Sequence, residues 1–449
     1  MSITFRKIIF WPHLVSGVIT GIVIGIMSLT GAAIAFETEI VDWADRDNRR
    51  VQVPSPDAPR LSVDELLARV KAANPKAQPS GVTVYPEPDS AVLVLTGRSE
   101  GVYVNPYTGE VREQGAKGWR SFFHVMEEWH RWLGAHGDNR PVGKAITGVS
   151  NAAFLFLAIS GLYLWWPRKW TMKTVRPVLW FRGGLKGKAR DFNWHNTIGF
   201  WALPVLIVLT ASGMVISYRW ASNLVFTLTG NEPPPAQGPI ASAPVKVPTP
   251  PEGAKPIGLE PLFAEARKQV PAWETITVRL GGGQRPNAPQ GGPQAQGAQG
   301  QGPQAQGAQG PQAQGAQGQG PGPRAQGPQG QGPGPQGPQA ITLAIREQGG
   351  WPLFAAAQVS FDPFTGQVLR RETFADYNSG RKARTWLRFL HTGEALGWLG
   401  QLVAAIASLG GVLLVWTGFA LSWRRFFPSR RPSATPEPET ASAEPETAA

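Results

Sequence analysis

Six histidines and no cysteine define the metal and redox chemistry open to this chain of 449 residues. Neutral imidazole is an axial ligand of haem iron, whereas a chain without cysteine has no thiolate iron–sulfur site, no disulfide and no Cys-x-x-Cys-His motif for covalent haem attachment. The sequence contains no glycine-rich dinucleotide motif and no P-loop. It therefore predicts non-covalent haem, no flavin or nicotinamide site in this chain, and an external electron donor.

Two of the histidines occupy matching positions at the starts of long uncharged segments. His13 and His195 are each followed by a glycine at the fourth position. The spacing of 18 residues from His13 to Gly31 is repeated from His195 to Gly213, and both of these glycines follow a Thr or a Ser. We predict that His13 and His195 are the two axial ligands of one haem iron. The alternative is a structural role, in which each histidine anchors its helix at the lipid headgroups.

His130 and His391 form a second candidate pair, in aromatic segments that each precede a long apolar stretch. Their distances from the preceding Asn-Pro or Asp-Pro turn are 24 and 28 residues, so this match is less regular than the first. His124 is the alternative to His130 and lies about 120° around a helix from it. Only His130 shares the His-x-x-x-Gly spacing of the first pair, and we therefore prefer it. His136, flanked by glycine and alanine, is predicted to be a loop residue.

Four segments without a formal charge position these histidines. They are residues 8–36, 145–167, 192–218 and 395–423. Each exceeds the roughly 20 residues that a helix needs to cross the hydrocarbon core of a bilayer. The sequence Ala33-Ile34-Ala35 resembles a signal-peptidase site, but the apolar run before it is longer than the roughly 7–15 residues of a signal-peptide core. We therefore predict four transmembrane helices, the first of them retained.

The distribution of lysine and arginine predicts the orientation of these helices. Eight basic residues and a single acid, Asp191, lie between the second and third apolar segments, and both termini are basic where they meet the membrane. Because basic loops stay in the cytoplasm, we place both termini there. These basic inner loops also favour a bacterial inner membrane. The net charge of +12 then reflects topology and contact with anionic lipid. No nucleic-acid recognition motif accompanies it, so we predict no nucleic-acid partner.

An internal repeat organises the chain. Residues 102–111, VYVNPYTGEV, return as residues 359–368, VSFDPFTGQV. The distance from Pro106 to Gly161 is 55 residues, and the distance from Pro363 to Gly418 is the same. We predict two parallel halves, each with a helix, an outside domain and a second helix, related by a pseudo-two-fold axis along the membrane normal.

Each outside domain is predicted to be a small α+β unit. In the first, Ser62 and Glu65 fit a capping box at the start of a helix over 61–70. Alternating apolar residues predict strands over 81–85, 91–95 and 101–104, and in the second domain a helix over 259–270 precedes strands over 275–280, 341–346 and 358–361. Residues 281–340, rich in Gln, Pro and Gly, lie between the predicted strands 275–280 and 341–346. We predict a disordered loop there and a disordered tail after Pro432.

The twin histidine-containing helices, the Asp/Asn-Pro-[Tyr/Phe]-Thr-Gly turns and the Ser/Thr-Gly-x-x-x helix endings resemble the PepSY-associated transmembrane proteins, also called iron-regulated membrane proteins. The resemblance covers nearly the whole chain except the insert and the tail. That family includes inner-membrane siderophore-iron reductases that carry b-type haem, and this chain looks similar to them. The resemblance implies that His13, His195, His130 and His391 match the family's helix-start histidines and hold two bis-histidine haem b groups.

Together, these features predict the following domains along the chain. Residues 1–37 are the cytoplasmic N-terminus and first transmembrane helix, 38–116 the first periplasmic PepSY-like domain, 117–167 an interfacial helix and second transmembrane helix, 168–191 a basic cytoplasmic loop, 192–220 the third transmembrane helix, 221–380 the second periplasmic PepSY-like domain, 381–425 an interfacial helix and fourth transmembrane helix, and 426–449 a cytoplasmic tail. This is a membrane α-helical protein with two small α+β domains outside the membrane.

The resemblance implies a ferric-siderophore reductase in which an electron from a quinol or a cytoplasmic reductase passes outward through two haems. A ferric chelate between the outside domains would accept it, and Fe(II), which prefers softer ligands, would leave the chelate. A sensory or regulatory membrane protein that binds a periplasmic partner without redox chemistry is the main alternative. A transporter subunit is the third, although no acidic residue lies within the four spans to carry a coupled ion.

Overall fold

The computed structural model describes residues 3–97, 100–167, 169–234, 245–280 and 338–427. Most of the insert predicted to be disordered, 281–340, and nearly all of the predicted tail, 426–449, lie outside these ranges. The chain divides into two compact units. One comprises Met1–Phe36, Phe123–Ser222 and Trp386–Ala449, and the other comprises Glu37–Phe122 and Asn223–Thr385.

Eleven α-helices occur within the described ranges. They are α1 (Ile3–Ile34), α2 (Glu37–Arg49), α3 (Val63–Ala73), α4 (Lys117–Trp132), α5 (Arg140–Trp165), α6 (Met172–Leu179), α7 (Gly187–Ser217), α8 (Arg219–Leu228), α9 (Glu260–Gln269), α10 (Ser379–Thr392) and α11 (Gly397–Phe426). Four helical stretches, built on α1, α5, α7 and α11, are long and apolar enough to cross a membrane. They confirm the four predicted spans.

The four long helices pack as a bundle in the first unit. Helix α1 packs against α5 and α11, and α7 packs against the same two helices. Small residues lie at these contacts, including Ser28, Ala202 and Ala407, which are almost fully buried. Small side chains let helix backbones approach closely where lipid offers no hydrophobic driving force. The outward faces carry large apolar side chains such as Ile19 and Ile406, which are 73% and 60% exposed and suit contact with lipid tails.

The second unit contains one antiparallel sheet of eight strands within the described residues. The strands are β1 (Gly81–Val84), β2 (Val92–Leu95), β3 (Gly101–Val104), β4 (Val111–Glu113), β5 (Trp273–Arg279), β6 (Ile341–Glu347), β7 (Ala357–Phe361) and β8 (Val368–Glu372). Their order in the sheet is β4-β3-β2-β1-β5-β6-β7-β8. All six predicted strands are present. The structure adds β4 and β8, which follow the repeated Pro-x-Thr-Gly turns and are short and charged.

The two α+β domains, predicted as separate modules, are joined in one sheet. Strands β1 and β5 pair antiparallel, with Val82 opposite Val278 and Val84 opposite Ile276. Either strand alone would leave a row of unpaired backbone groups at a sheet edge, and mutual pairing satisfies both rows. The four apolar side chains are buried on one face. The predicted domains 38–116 and 221–380 are therefore two halves of a single core. Sequence periodicity does not reveal that they are joined.

Helices α3 and α9 cover that face of the sheet. Leu66 of α3 and Phe263 of α9 share one apolar core with Val94, Ile345 and Phe361 of the strands. The predicted capping box is present at the start of α3. Burial of these side chains removes apolar area from water and supplies the main driving force for this unit.

The starts of α3 and α9 are also capped by each other's side chains. The Asp64 carboxylate of α3 accepts hydrogen bonds from the backbone N–H groups of Leu259 and Glu260, at 2.9 to 3.0 Å. The Glu260 carboxylate accepts one from the backbone N–H of Val63 at 2.9 Å. Free N–H groups and the helix dipole both favour a carboxylate at a helix start. This reciprocal capping holds the two halves of the sequence together.

Candidate metal-binding histidine pairs

His130 of α4 and His391 of α10 lie close together in the helical unit. Their ring centroids are 6.3 Å apart, and the ring planes are inclined by 56°. A metal–imidazole bond of about 2 Å on each side, plus roughly 1 Å from nitrogen to ring centre, would place two ring centroids roughly 6 Å apart. The separation of the ring centroids therefore matches that of two imidazoles bound to one metal.

Hydrogen bonds fix the tautomer of both rings. The Nδ1 atom of His130 lies 2.9 Å from the backbone oxygen of Met27, and the Nδ1 atom of His391 lies 2.9 Å from that of Leu209. A carbonyl oxygen can only accept, so each Nδ1 carries the proton and each Nε2 keeps a free lone pair. Donation of the second ring N–H to a carbonyl is the usual support of a metal-binding histidine.

His13 of α1 and His195 of α7 have equivalent surroundings. The Nδ1 atom of His13 lies 2.8 Å from the Ser160 hydroxyl, and that of His195 lies 2.9 Å from the Thr417 hydroxyl. Both hydroxyls donate their own hydrogen to a helix carbonyl, at 2.6 Å and 2.7 Å. Each hydroxyl must therefore accept from Nδ1, which again leaves Nε2 with its lone pair.

The two pairs occupy different levels of the same bundle. Met27 follows His13 by 14 residues on α1, and Leu209 follows His195 by 14 residues on α7. At 1.5 Å per residue, this spacing corresponds to roughly 21 Å along the helix axes. The structure thus brings His130 and His391 together and places His13 and His195 in matching surroundings, about two thirds of a hydrocarbon core away.

Sequence analysis did not identify the hydroxyl residues that support the rings. Ser160 and Thr417 contact the first pair, whereas Thr30 and Ser212 lie 3.2 Å and 3.1 Å from Nδ1 of His130 and His391. Each of the four is followed directly by a glycine in the sequence. The repeated Ser/Thr-Gly dipeptides were the available signal in the sequence.

Those glycines give the rings room. A Cβ atom at Gly31 would lie 3.1 Å from Cε1 of His130, and one at Gly213 would lie 3.2 Å from Cε1 of His391. The corresponding distances are 3.5 Å from Gly161 to His13 and 3.7 Å from Gly418 to His195. The contact is therefore tighter at the His130 and His391 rings, where any larger residue must displace the imidazole.

We expect Gly31→Ala to lower the melting temperature of the purified protein, whereas Gly161→Ala leaves it unchanged or raises it. Both changes gain up to about 1 kcal/mol of helix propensity. Only the Gly31 change also forces a Cβ atom against the His130 ring, at an overpacking cost of about 1–3 kcal/mol. Thermal unfolding followed by circular dichroism compares the two. Equal melting temperatures would contradict this account of the Gly31 contact.

His124 and His136 do not join either pair. Their ring nitrogens lie 3.6 Å and 3.4 Å from Oε1 of Glu128, which also accepts a hydrogen bond from Arg140 at 3.0 Å. The two side chains are 58% and 69% exposed. His124 is on α4 but away from the side that carries His130, and His136 precedes a short turn before α5. His124 and His136 therefore lie, with Arg140, around the buried Glu128 carboxylate at the protein surface.

The chain matches the model of a known protein family. The family model of the PepSY-associated TM region matches residues 10–425. That stretch contains all six histidines, both repeated turns and the whole eight-stranded sheet. No curated protein matches the chain.

Proposed function

The chain belongs to the PepSY-associated transmembrane-region family, and from that premise we propose that it binds two haem b groups and reduces ferric siderophore at the bacterial inner membrane. It is a multi-pass membrane protein. The observation that carries the proposal is the facing His130 and His391 rings, 6.3 Å apart, with both Nδ1 atoms bound to backbone carbonyl oxygens. Two imidazoles suit a metal whose remaining ligands come from a macrocycle.

The residues of each pair fit such a group. His13 and His195 would hold one haem, and His130 and His391 would hold the other, because all four rings present a free Nε2 lone pair. Haem supplies one-electron transfer, and with two histidine ligands its iron keeps no open position for oxygen. The Nδ1 hydrogen bonds orient the rings and raise their basicity as ligands. The glycines beside Cε1 allow the rings to approach the helix backbone.

The layout that we propose has two parallel halves about a pseudo-two-fold axis. The matched environments of His13 and His195, and of His130 and His391, support it. The sheet order, in which β1-β2-β3-β4 and β5-β6-β7-β8 extend from a central β1–β5 pair, supports it as well. The basic segment between α5 and α7 favours cytoplasmic termini and a periplasmic sheet. The His13 pair then lies towards the cytoplasm and the His130 pair towards the periplasm.

The proposed reaction moves one electron for each iron released. A quinol or a cytoplasmic reductase is oxidised, and the Fe(III) of the chelate is reduced to Fe(II). Hard oxygen donors hold Fe(III) more tightly than Fe(II), so the reduced ion leaves the siderophore. The histidines hold the redox groups in place through the cycle and exchange no protons with them.

A reduced-minus-oxidised absorption spectrum of the purified protein, from haem-replete cells, tests the proposal. We expect a b-type spectrum and two haems for each chain. Anaerobic mixing of the reduced protein with a ferric siderophore should then reoxidise the haem and release Fe(II) to a colorimetric chelator. A colourless preparation would contradict the proposal and favour the sensory or regulatory alternative. A coloured protein that ferric siderophore fails to oxidise would leave a haem protein with another acceptor.

A further inference from the structure

A groove beside α11 combines an aromatic lining with a positive charge. Its walls include Val18 of α1 and five aromatic side chains, Trp416, Phe419, Trp423, Phe426 and Phe427. The aromatic positions recur every three or four residues, so they lie along one side of the helix. The groove has a volume of about 670 Å³, which is within the roughly 300–1,000 Å³ typical of ligand sites. We call it the α11 groove.

The aromatic side chains of the α11 groove are exposed on the outside of the bundle. Trp423 and Phe427 are both exposed, and their ring centroids are 4.4 Å apart. The eleven residues from Trp416 to Phe427 correspond to roughly 16 Å along the helix axis. That length is about half of a hydrocarbon core, or one leaflet of a bilayer. The α11 groove therefore has the length and the apolar wall that suit a lipid acyl chain.

Two arginines bring a positive charge to the α11 groove. Arg424 lines it, and the Arg190 guanidinium lies 5.4 Å from the centroid of the Trp416 ring. Both bind the fully buried Asp191 carboxylate, with Nη2 of Arg190 2.8 Å from Oδ1 and Nε of Arg424 3.1 Å from Oδ2. Within the described ranges, no other carboxylate pairs with either guanidinium. Two positive charges share one negative charge, so a net positive charge remains at the groove.

The Arg424 side chain has hydrogen-bonding capacity left for an anion. Its Nε atom contacts Asp191, and its two Nη groups make no hydrogen bond within the part of the chain that the structure describes. The side chain is 44% exposed, so a ligand in the groove can reach it. A guanidinium donates to phosphate through parallel N–H groups, in charge-assisted hydrogen bonds.

We propose that the α11 groove binds an anionic phospholipid, with an acyl chain along the aromatic wall and the phosphate on Arg424. The net charge favours this occupant. A zwitterionic headgroup carries its own cation, which the arginines repel, and a neutral quinol gains nothing from the remaining positive charge. Basic residues next to the membrane attract anionic lipid in this way. The site lies within the helical unit and goes beyond the proposed function, since it requires no redox group.

Native mass spectrometry of the purified, delipidated protein tests the inference. The probes are phosphatidylglycerol, which is anionic, and phosphatidylcholine, which is zwitterionic, with the same acyl chains. We expect the first lipid bound to be phosphatidylglycerol, with a preference of about fivefold, equivalent to about 1 kcal/mol for one basic residue. Arg424→Gln should abolish this preference, whereas Arg424→Lys should keep most of it. Ala420→Trp, which fills the groove and leaves the Asp191 ion pairs in place, should weaken binding of both lipids.

Arg176→Gln is the matched control, because it removes the same charge from an exposed arginine on α6 that does not line the groove. It should leave the preference unchanged. Equal binding of the two lipids by the unaltered protein would overturn the inference. An equal loss of preference in Arg176→Gln and Arg424→Gln would also overturn it, since both would then report the total charge of the protein.

Preferential binding of an isoprenoid quinone in the α11 groove, displacing phosphatidylglycerol and lost in Ala420→Trp, would likewise reject the anionic lipid as the occupant. Ala420→Trp tests the groove even where Arg424→Gln fails to fold, which the melting temperature without added lipid reveals. None of these results depends on bound haem, so the failure of this inference and the failure of the proposed function are distinguishable.

Discussion

Replacing His13 or His195 with alanine removes one haem of the proposed two, and replacing His130 or His391 removes the other. In the proposed function each haem would be held by one imidazole from each half of the chain, and loss of either would leave the iron with a single protein ligand. We expect about half of the haem absorption in each single variant and none in His13→Ala combined with His130→Ala. The haem content of each purified variant, measured for each mole of chain, checks this.

His124→Ala and His136→Ala are matched controls on the same segment of the chain. Both rings lie beside Glu128 and neither faces a second histidine. We expect both variants to keep the full haem content and the spectrum of the unaltered protein. Loss of one haem from His124→Ala, with full content retained in His130→Ala, would reverse our assignment of the ligand on α4.

Asp45→Ala should strongly destabilise the unit that contains the sheet. The Asp45 carboxylate of α2 is fully buried, forms an ion pair with Arg120 and accepts a hydrogen bond from the Tyr103 hydroxyl at 3.0 Å. Burial, and then the neighbouring Asp45, raise the pKa of Tyr103, so the phenol stays protonated and donates. Removal of the carboxylate leaves the Arg120 guanidinium, which is 30% exposed, and the buried Tyr103 hydroxyl without their partner. A buried polar group left without its partner costs about 1–3 kcal/mol.

Asp47→Ala on the same helix is the control for this change. Its carboxylate lies 3.6 Å from Arg46, but its side chain is 85% exposed. An exposed ion pair contributes about 0–1 kcal/mol, so this variant should unfold close to the unaltered protein. Chemical denaturation followed by fluorescence compares the two. Similar denaturation midpoints for the two variants would show that the buried contacts of Asp45 stabilise the unit no more than an exposed ion pair does.

Regular sequence patterns predicted their elements correctly, whereas elements with a broken pattern were missed. Uncharged stretches longer than a bilayer thickness predicted all four long helices, because in lipid only a helix pairs its backbone groups within a single segment. Strict alternation predicted six strands, and it missed β4 and β8, where Arg112 and Arg370 break the apolar pattern. The capping box at Ser62 and Glu65 was correct because all of its partners lie within four residues.

Features that join distant parts of the chain were also missed. The pairing of β1 with β5 and the reciprocal capping by Asp64 and Glu260 connect residues nearly 200 positions apart. Pairing of a sheet edge depends on which other edge lies nearby, and local composition carries no record of that choice. The local sequence pattern of the strands is therefore almost the same for two separate domains as for one continuous sheet.

The same division applies to the histidines. By itself, the sequence determined which residue types are available, which segments cross the membrane and which positions repeat between the two halves, because these properties depend on composition and spacing alone. Only the tertiary structure decided that His130 rather than His124 faces His391, and which hydroxyls and carbonyls fix the tautomers. Those facts depend on how helices rotate about their axes when they pack, and side chains remote in sequence determine that rotation.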